Sequence, residues 1–269
     1  MKIIQLTDTH LVEPGARLYG MDPCDRVRQL VTHICEHQAD ADLLVITGDI
    51  ANDGNLDAYR QLREVLSPLP MPCRLLLGNH DRRDTFLEAF PESPVDENGF
   101  VQSVQDLENP SLRLLFLDSQ APGVIGGIYC ADRLRWLHTR LQERPDVPVV
   151  VFLHHPPVPH GMRHFKHIGF HDGESVMTLL RAHPGGVRHI IFGHIHVPLS
   201  GVTSDGIPFS AGRGSNHQFI PGFDDPTPFW TSAPLNYSII TLNEEGVFVH
   251  GYDMIECEGI VRARNCLGP

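Results

Sequence analysis

Five apolar runs along the chain each end in a short polar segment. They cover residues 2–7, 43–47, 74–77, 147–153 and 187–192. Apolar runs of this length, bounded by polar residues, are typical of strands buried on both faces of a parallel sheet. The runs therefore predict the central strands of an α/β fold.

The segments between these runs carry the periodicities of helices and of further strands. Apolar residues recur at helical spacing over residues 27–37, 56–66, 85–90 and 132–141. Strands are predicted over residues 100–104 and 112–117, and a hairpin over residues 238–242 and 247–252. Alternating strands and helices with intervening hairpins favour two sheets packed face to face with helices outside.

The length and composition suit one domain. With 41% hydrophobic residues, a chain of 269 residues can bury a sizeable core, so we expect a single domain over residues 1–269 with a short C-terminal tail. Three long irregular stretches interrupt the pattern, at residues 11–23, 157–172 and 215–234. Long loops in compact domains are commonly functional, so we place these three at the rim of a site.

The polar segments after the five runs carry side chains that bind metals. Seven candidates follow the runs: Asp8, His10, Asp49, Asn79, His154, His194 and His196. Because the carboxyl ends of parallel strands meet at one edge of a sheet, we expect these side chains to converge. Oxygen and nitrogen ligands without thiolate suit Mn, Fe, Co or Zn.

The number of candidates indicates how many ions to expect. Seven ligands exceed what one ion with an open position needs, but they suit two ions that share a bridging carboxylate. Asp49 is the expected bridge, because it lies centrally in the predicted sheet. In two-metal hydrolases such ions lie roughly 3.5–4 Å apart. The pattern predicts a hydrolase of phosphoryl esters.

The charge of the chain argues against some partners. The formal net charge is −12 and no run rich in Lys or Arg occurs, so we expect no nucleic-acid polymer as a partner. Two bound divalent ions would add about four positive charges locally, so a small phosphodiester can still be attracted. A homo-oligomer is left open.

The cysteines and the apolar segments indicate the compartment. Six cysteines are scattered without a Cys-x-x-Cys pattern, which favours buried free thiols, although Cys257 and Cys266 could pair. No apolar run reaches the length of a membrane span, so no membrane partner is expected. The first strand begins at once and a candidate ligand stands at residue 8, which leaves no room for a cleavable signal. We expect a cytoplasmic protein.

Taken together, the polar motifs resemble those of the calcineurin-like metallophosphoesterase superfamily. The motifs are D-x-H at 8–10, G-D at 48–49, G-N-H-D at 78–81, H-H-P-P at 154–157 and G-H-I-H at 193–196. Within the superfamily they are most similar to the bacterial class III phosphodiesterases, which include cyclic-nucleotide phosphodiesterases and glycerophosphodiesterases. The resemblance runs from the first strand to about Gln218 and is specific as a set, although each motif alone is weak.

The resemblance implies a fold and a division of the ligands. It implies a four-layer α/β/β/α sandwich of two packed mixed sheets flanked by helices. One metal would be held by Asp8, His10, Asp49 and His196, and the other by Asp49, Asn79, His154 and His194. His154 is favoured over His155 because the ligand of the family lies two residues before the proline.

Four further residues are candidates for contact with substrate or for catalysis. By analogy with the family, His80 stabilises the transition state or protonates the leaving group. Asp81 would orient His80 or, equally, cap the following helix. Asn52 would contact substrate or serve as an ordinary helix cap, and His217 would contact substrate at the mouth of the site.

The stretch 157–172 is rich in cationic side chains, namely His160, Arg163, His164, Lys166, His167 and His171. It is either a solvated loop or a cationic lid that screens the phosphate as the pH falls.

The predicted function is that of a dinuclear-metal phosphodiesterase. Metal-activated hydroxide would hydrolyse small phosphodiesters, either 3′,5′-cyclic nucleotides or glycerophosphodiesters. The alternatives are a phosphomonoesterase or nuclease of the same superfamily and a non-catalytic interaction scaffold on this fold. A protein phosphatase is disfavoured because residues 50–54, after the Gly-Asp motif, lack the expected arginine.

Overall fold

The computed structural model describes residues 1–163, 165, 168–223, 227, 229–232 and 234–254. The helices in this part of the chain are α1 Pro23–His37, α2 Leu56–Leu66, α3 Arg83–Ala89, α4 Ala131–Glu143 and α5 Gly173–Arg181. The strands are β1 Lys2–Leu6, β2 Leu43–Thr47, β3 Cys73–Leu76, β4 Ser103–Leu107, β5 Leu112–Phe116, β6 Val149–Phe152, β7 Val187–Phe192, β8 Leu199–Val202, β9 Pro208–Ala211, β10 Gln218–Ile220, β11 Phe229–Thr231, β12 Asn236–Asn243 and β13 Gly246–Asp253.

Most of the strands form two mixed sheets. The first has the order β13-β12-β1-β2-β3, with β1, β2 and β3 parallel and β12 antiparallel to β1. The second has the order β4-β5-β6-β7-β9-β8, with β5, β6, β7 and β9 parallel. Strands β10 and β11 form a separate hairpin.

The two sheets pack against each other through a shared apolar layer. Ile3 and Val45 of the first sheet are fully buried there together with Phe116, Phe152 and Ile191 of the second. On the outer faces, α1, α2 and α3 cover the first sheet, and α4 and α5 cover the second. This arrangement confirms the predicted four-layer α/β/β/α sandwich. The single domain stays a prediction.

Several boundaries differ from those predicted. Helix α1 begins at Pro23, because Asp22 caps it by accepting from the N–H of Asp25. Strand β4 is shifted from 100–104 to Ser103–Leu107, because the N–H of Val101 donates to the Asp118 carboxylate instead of joining a ladder. Helix α5 was not predicted, and the stretch 215–234 contains the hairpin β10–β11 rather than only irregular backbone.

The described cysteines are unpaired, as expected, but they are less buried than expected. All four described cysteines are free thiols; Cys24 is buried, and Cys35, Cys73 and Cys130 are partly exposed. Cys257 and Cys266 lie outside the described residues. None of the helices in the described part of the chain combines the length and apolar character that crossing a bilayer requires.

Candidate metal centre

The carboxylate of Asp49 lies between two histidines that come from different sheets. Its Oδ2 atom is 3.6 Å from His10 Nε2 and 3.4 Å from His154 Nε2. His10 follows β1 and Asp49 follows β2 in the first sheet, whereas His154 follows β6 in the second. Asp49 therefore has the position of a carboxylate that two neighbouring ions could share.

One side of Asp49 is a compact group of four ligand atoms. The ligand atoms of Asp8, His10, Asp49 and His196 all lie within 4.8 Å of one another. His10 Nε2 and His196 Nε2 are 3.1 Å apart, and His196 Nε2 is 3.3 Å from Asp8 Oδ1. Two imidazole nitrogens bound to one ion at about 2.0–2.1 Å each would be separated by a similar distance. This group fits a divalent ion.

The other side of Asp49 contains Asn79, His154 and His194. Asn79 Oδ1 is 3.3 Å from His154 Nε2, and the rings of His154 and His194 are 5.1 Å apart between centroids. His194 Nε2 is 3.0 Å from the carbonyl oxygen of Ile168, so its Nδ1 atom is the one free to bind an ion. The structure thus brings all seven candidate ligands together at one end of the two sheets.

Backbone carbonyls orient the histidine rings. His154 Nδ1 is 2.8 Å from the oxygen of Thr47, and His196 Nδ1 is 2.9 Å from the oxygen of His217. Donation from Nδ1–H to a carbonyl fixes the tautomer and turns Nε2 toward the cluster, as is usual for metal-binding histidines. These carbonyl partners could not be identified from side-chain motifs, because the carbonyl is common to every residue.

His155 differs from His154 in its surroundings. His155 Nδ1 lies 2.8 Å from Ser119 Oγ, and Nε2 lies 3.1 Å from the carbonyl oxygen of Ile125. Both ring nitrogens are therefore engaged by protein groups. Its lowered pKa, which results mainly from burial, keeps the ring neutral. These contacts favour His154 as the ligand, as predicted.

The backbone is strained at most of the candidate ligands. Among the described residues, six non-glycine residues have a positive φ, and five of them are Asp8, His10, Asp49, His194 and His196. Left-handed backbone is uncommon outside glycine and concentrates at functional sites. At Gly78, which precedes Asn79, an added Cβ would lie 2.2 Å from Asp49 Oδ1, so this loop can approach Asp49 only with glycine.

The buried acids and imidazoles are coupled electrostatically. Burial raises the pKa of Asp49, but the neighbouring His154, His80 and His10 together outweigh burial, and the pKa lies well below its ordinary value. Burial lowers the pKa of His154, but Asp49, Asp8 and the carbonyl of Thr47 together outweigh burial and raise that pKa to about 9. A positive charge inside the protein therefore stabilises the buried Asp49 carboxylate, and a bound divalent ion would stabilise it in the same way.

A cavity of about 880 Å³ opens beside the cluster and is lined in part by Asn52, Asn79 and His80. The His80 ring is exposed, its Nδ1 lies 2.6 Å from the carbonyl oxygen of Asn52, and its backbone N–H donates to Asp49 Oδ1 at 2.9 Å. With Nδ1 held in this way, Nε2 is the nitrogen left for a ligand. The helix-cap alternative for Asn52 is wrong, because Asn55 caps α2.

Asp81 has a structural environment that the sequence did not indicate. Its buried carboxylate accepts backbone N–H groups from Gly78 at 2.9 Å, Ile50 at 3.1 Å and Ala51 at 2.9 Å. The hydroxyl of Tyr59 donates to the same carboxylate at 2.9 Å. Asp81 therefore ties the loop after β2 to the loop after β3, which carry two of the candidate ligands.

The helix cap considered for Asp81 is wrong, whereas its role in orienting His80 stays a prediction. Its carboxylate makes no hydrogen bond to His80, and Arg82 is the N-cap residue of α3, without a side-chain cap. The carboxylate oxygens of Asp81 are instead occupied by hydrogen bonds from the backbone amides of the two loops. The contact from Tyr59 was not predicted, because the place of this residue on the apolar face of α2 is typical of an ordinary core residue.

His217 lies against the cluster and is buried. Its ring is 4.3 Å from the ring of His196 and 4.9 Å from that of His10, between centroids. Burial and the neighbouring His196 and His10 lower its pKa to about 2. The structure thus places the His217 ring close enough to meet a ligand of the cluster, and its carbonyl orients His196.

The described part of the stretch 157–172 is packed into the core at some positions and exposed at others. Val158, Met162 and Phe165 are buried in the core beneath the second sheet. Half-buried His160 has its ring 5.7 Å from that of Phe165, whereas His171 is exposed. The remaining basic residues of the proposed lid include His164, Lys166 and His167, which lie outside the described residues. The cationic lid stays a prediction.

Comparison with known families decides what kind of protein this geometry belongs to. The model of the calcineurin-like phosphoesterase family matches residues 1–198. The chain belongs to the calcineurin-like phosphoesterase family. This result confirms the resemblance that the five motifs indicated.

Two relatives of this calcineurin-like phosphoesterase carry names that describe an activity. A Rhodopseudomonas palustris protein named "Probable cyclic nucleotide phosphodiesterase" is 35% identical over 260 residues, covering 93% of this chain and 91% of the relative. A glycerophosphodiester phosphodiesterase of Enterobacter lignolyticus is 32% identical over 201 residues, covering 73% of this chain and 71% of the relative.

A solved structure has the same fold at low sequence identity. The crystal structure of a dimetal phosphatase from Danio rerio superposes with a TM-score of 0.71 and 16% identity, covering 95% of this chain and 96% of the other. At this identity the likeness establishes the fold of the calcineurin-like phosphoesterase and no more.

Proposed function

We propose that this chain is a dinuclear-metal phosphodiesterase that hydrolyses small phosphodiesters, either 3′,5′-cyclic nucleotides or glycerophosphodiesters. The observation that carries the proposal is the position of Asp49 Oδ2, 3.6 Å from His10 Nε2 and 3.4 Å from His154 Nε2. The two relatives with activity-describing names support the same class of substrate.

The proposed ligands fall into two groups that share Asp49. Asp8, His10, Asp49 and His196 would hold one divalent ion, and Asp49, Asn79, His154 and His194 would hold the other. Mn, Fe, Zn or Co suits these oxygen and nitrogen donors. When bound, the two ions would polarise the attacking water and neutralise charge on the phosphoryl group.

His80 would supply a proton or a hydrogen bond to the departing oxygen. The Asn52 carbonyl and the Asp49 carboxylate hold its ring and its backbone, respectively, so that Nε2 is available beside the cavity. His80 would donate from Nε2 to the leaving alkoxide while Nδ1 keeps its hydrogen bond to the carbonyl of Asn52. A positioned acid of this kind contributes about 10²–10⁴-fold.

The charges around the cavity favour a diester over a monoester. Arg82 and Arg83 line it, but Arg82 pairs with Asp84 at 3.0 Å and Arg83 pairs with Asp118 at 2.9 Å. Their guanidinium groups are therefore engaged by carboxylates of the protein. Both arginines thus already have a carboxylate partner when a monoester dianion binds. A diester carries one negative charge fewer and depends less on an arginine.

The proposal includes a cytoplasmic location and a small-molecule partner. We place the protein in the cytoplasm, supported by the four free thiols among the described cysteines. A net charge of −12 disfavours nucleic-acid polymers as partners. A homo-oligomer stays a prediction.

Metal titration tests the proposal. Purified protein stripped with a chelator should not hydrolyse bis-p-nitrophenyl phosphate, and activity should return as Mn²⁺ is added and two ions bind per chain. Full activity in the stripped protein, or no activity with any divalent metal, would contradict the proposal and favour the scaffold alternative.

A further inference from the structure

Aromatic side chains continue outward from the metal-binding cluster beyond His217. The ring of Tyr19 lies 4.8 Å from the ring of His217 and 4.5 Å from that of Trp230, measured between centroids. The ring of His217 lies 4.9 Å from that of His10. The rings thus lead from a candidate ligand to the surface, and two ring contacts separate His10 from Tyr19.

The two outer rings are held in place and yet exposed. Tyr19 has 50% and Trp230 has 45% of its surface accessible to solvent. Trp230 also lies 6.5 Å from the ring of Phe219, in the strand paired with its own. Fixed aromatic rings that keep an accessible face are the usual platform on which a nucleobase stacks.

Tyr19 has the left-handed backbone conformation that five of the candidate ligands also have. Tyr19 has a φ of +52°, and it is the sixth non-glycine residue with a positive φ among those that the structure describes. Leu18 and Met21 close its turn with two backbone hydrogen bonds, of 2.9 Å and 3.0 Å. Such strain at a bulky, exposed residue is typical of positions with a functional task.

We propose that Tyr19 and Trp230 form a nucleobase-stacking subsite, so that the substrate is a nucleoside phosphodiester rather than a glycerophosphodiester. This inference rests on the proposed phosphodiesterase function. In a 3′,5′-cyclic nucleotide, one sugar separates the phosphate from the base. With the phosphate beside His10 and His80, the base can reach Tyr19, whereas a glycerol group offers no flat face to stack.

The test compares two diesters in the Mn²⁺-loaded enzyme. We measure kcat/KM for 3′,5′-cyclic AMP and for glycerophosphoethanolamine in Trp230→Ala and in Tyr19→Gly, since glycine adopts the left-handed backbone without strain. Each variant should lower the value for cyclic AMP by about 5- to 150-fold, the range expected for one stacked base. The value for glycerophosphoethanolamine should stay at that of the wild type, and Trp230→Phe should retain most of the activity on cyclic AMP.

Phe229→Ala is the matched control. Phe229 is 58% exposed and neighbours Trp230 in β11, but successive side chains of a strand point to opposite faces. It should change neither value. Equal losses on both substrates in Trp230→Ala, or no loss on either, would overturn the subsite. A changed oligomeric state in Trp230→Ala, measured by light scattering, would show that the rings form an interface between copies and would also overturn it.

A binding measurement separates this inference from the proposed function. The chain has two tryptophans, and Trp136 is only 5% exposed, so an external ligand can quench Trp230 selectively. Adenosine monophosphate should quench tryptophan fluorescence in the wild type but not in Trp230→Phe, and glycerol phosphate should quench neither. A wild type without diesterase activity would contradict the proposed function, whereas absence of this quenching would overturn the subsite.

Discussion

The backbone N–H of His80 donates to Asp49 Oδ1 at 2.9 Å. The other oxygen of the same carboxylate faces His10 and His154. One side chain therefore holds the position of the proposed acid while contributing to both proposed metal sites. Changes at Asp49 and at His80 should consequently have different signatures, although the two residues are in contact.

Asp49→Asn should remove hydrolysis and most binding of one metal while the protein stays folded. The amide keeps the shape but loses the shared negative charge, so neither proposed ion keeps its full set of ligands. Metal analysis, turnover and circular dichroism would measure these effects. Asp57→Asn, the same chemical change on the exposed face of α2, is the control. A variant that keeps two ions and normal turnover would refute the two-metal arrangement.

His80→Ala should leave the metal content unchanged and lower kcat by roughly two orders of magnitude or more. The His80 ring is hydrogen-bonded to the carbonyl of Asn52 and is not a proposed metal ligand. The substitution should therefore remove a proton donor while both metal ions stay bound. His138→Ala, at an exposed position of α4, should leave kcat unchanged. If His80→Ala lost metal, the assignment of Asn79 and His80 would be wrong.

Gly78→Ala should disturb the metal centre directly. The added Cβ would lie 2.2 Å from Asp49 Oδ1, 2.5 Å from the backbone nitrogen of Asp49 and 2.7 Å from His154 Nε2, so the loop and both side chains must shift. Overpacking of this kind costs about 1–3 kcal/mol, and we expect both the metal content and the melting temperature to fall. Gly251→Ala meets no atom within 4 Å and serves as the control. An unchanged metal content would contradict the geometry described for this loop.

Acid should destabilise the protein in part through His189. Burial lowers the pKa of His189 to about 4, and its Nε2 is 2.9 Å from Ser210 Oγ. The unfolded chain binds the proton at its ordinary pKa of about 6.5, so stability is present above that pH and is lost as the pH falls toward 4.

The difference in pKa corresponds to about 3 kcal/mol by pH 4. His189→Gln can still bond to Ser210 but does not titrate, so its unfolding free energy should depend less steeply on pH between 6.5 and 4. Urea unfolding across this range would measure the effect. Parallel profiles for the wild type and the variant would contradict it.

The central strands were predictable because each of them coincides with an apolar run in the sequence. What periodicity could not decide is which sheet each strand joins. The runs that end at Asp49 and at His154 look alike in sequence, yet they belong to different sheets. Membership depends on pairing between distant segments, and both faces of each strand are covered whichever sheet it joins.

The candidate ligands were predictable because they follow strands at fixed motifs, whereas their support was not. Asp81 is held by Tyr59, which is 22 residues away, and by amides of the loop after β2. The Tyr19–Trp230 contact joins two loops that look irregular in sequence. Such contacts form between segments that are distant in sequence, so no local pattern of residues predicts them.

The choice between diester and monoester tests the central claim most directly. In one metal condition, specificity constants are measured for bis-p-nitrophenyl phosphate, 3′,5′-cyclic AMP, glycerophosphoethanolamine and p-nitrophenyl phosphate. Small diesters should exceed the monoester, because the two arginines that line the cavity already have carboxylate partners, Asp84 for Arg82 and Asp118 for Arg83. A clear preference for the monoester p-nitrophenyl phosphate would contradict it and identify a phosphomonoesterase.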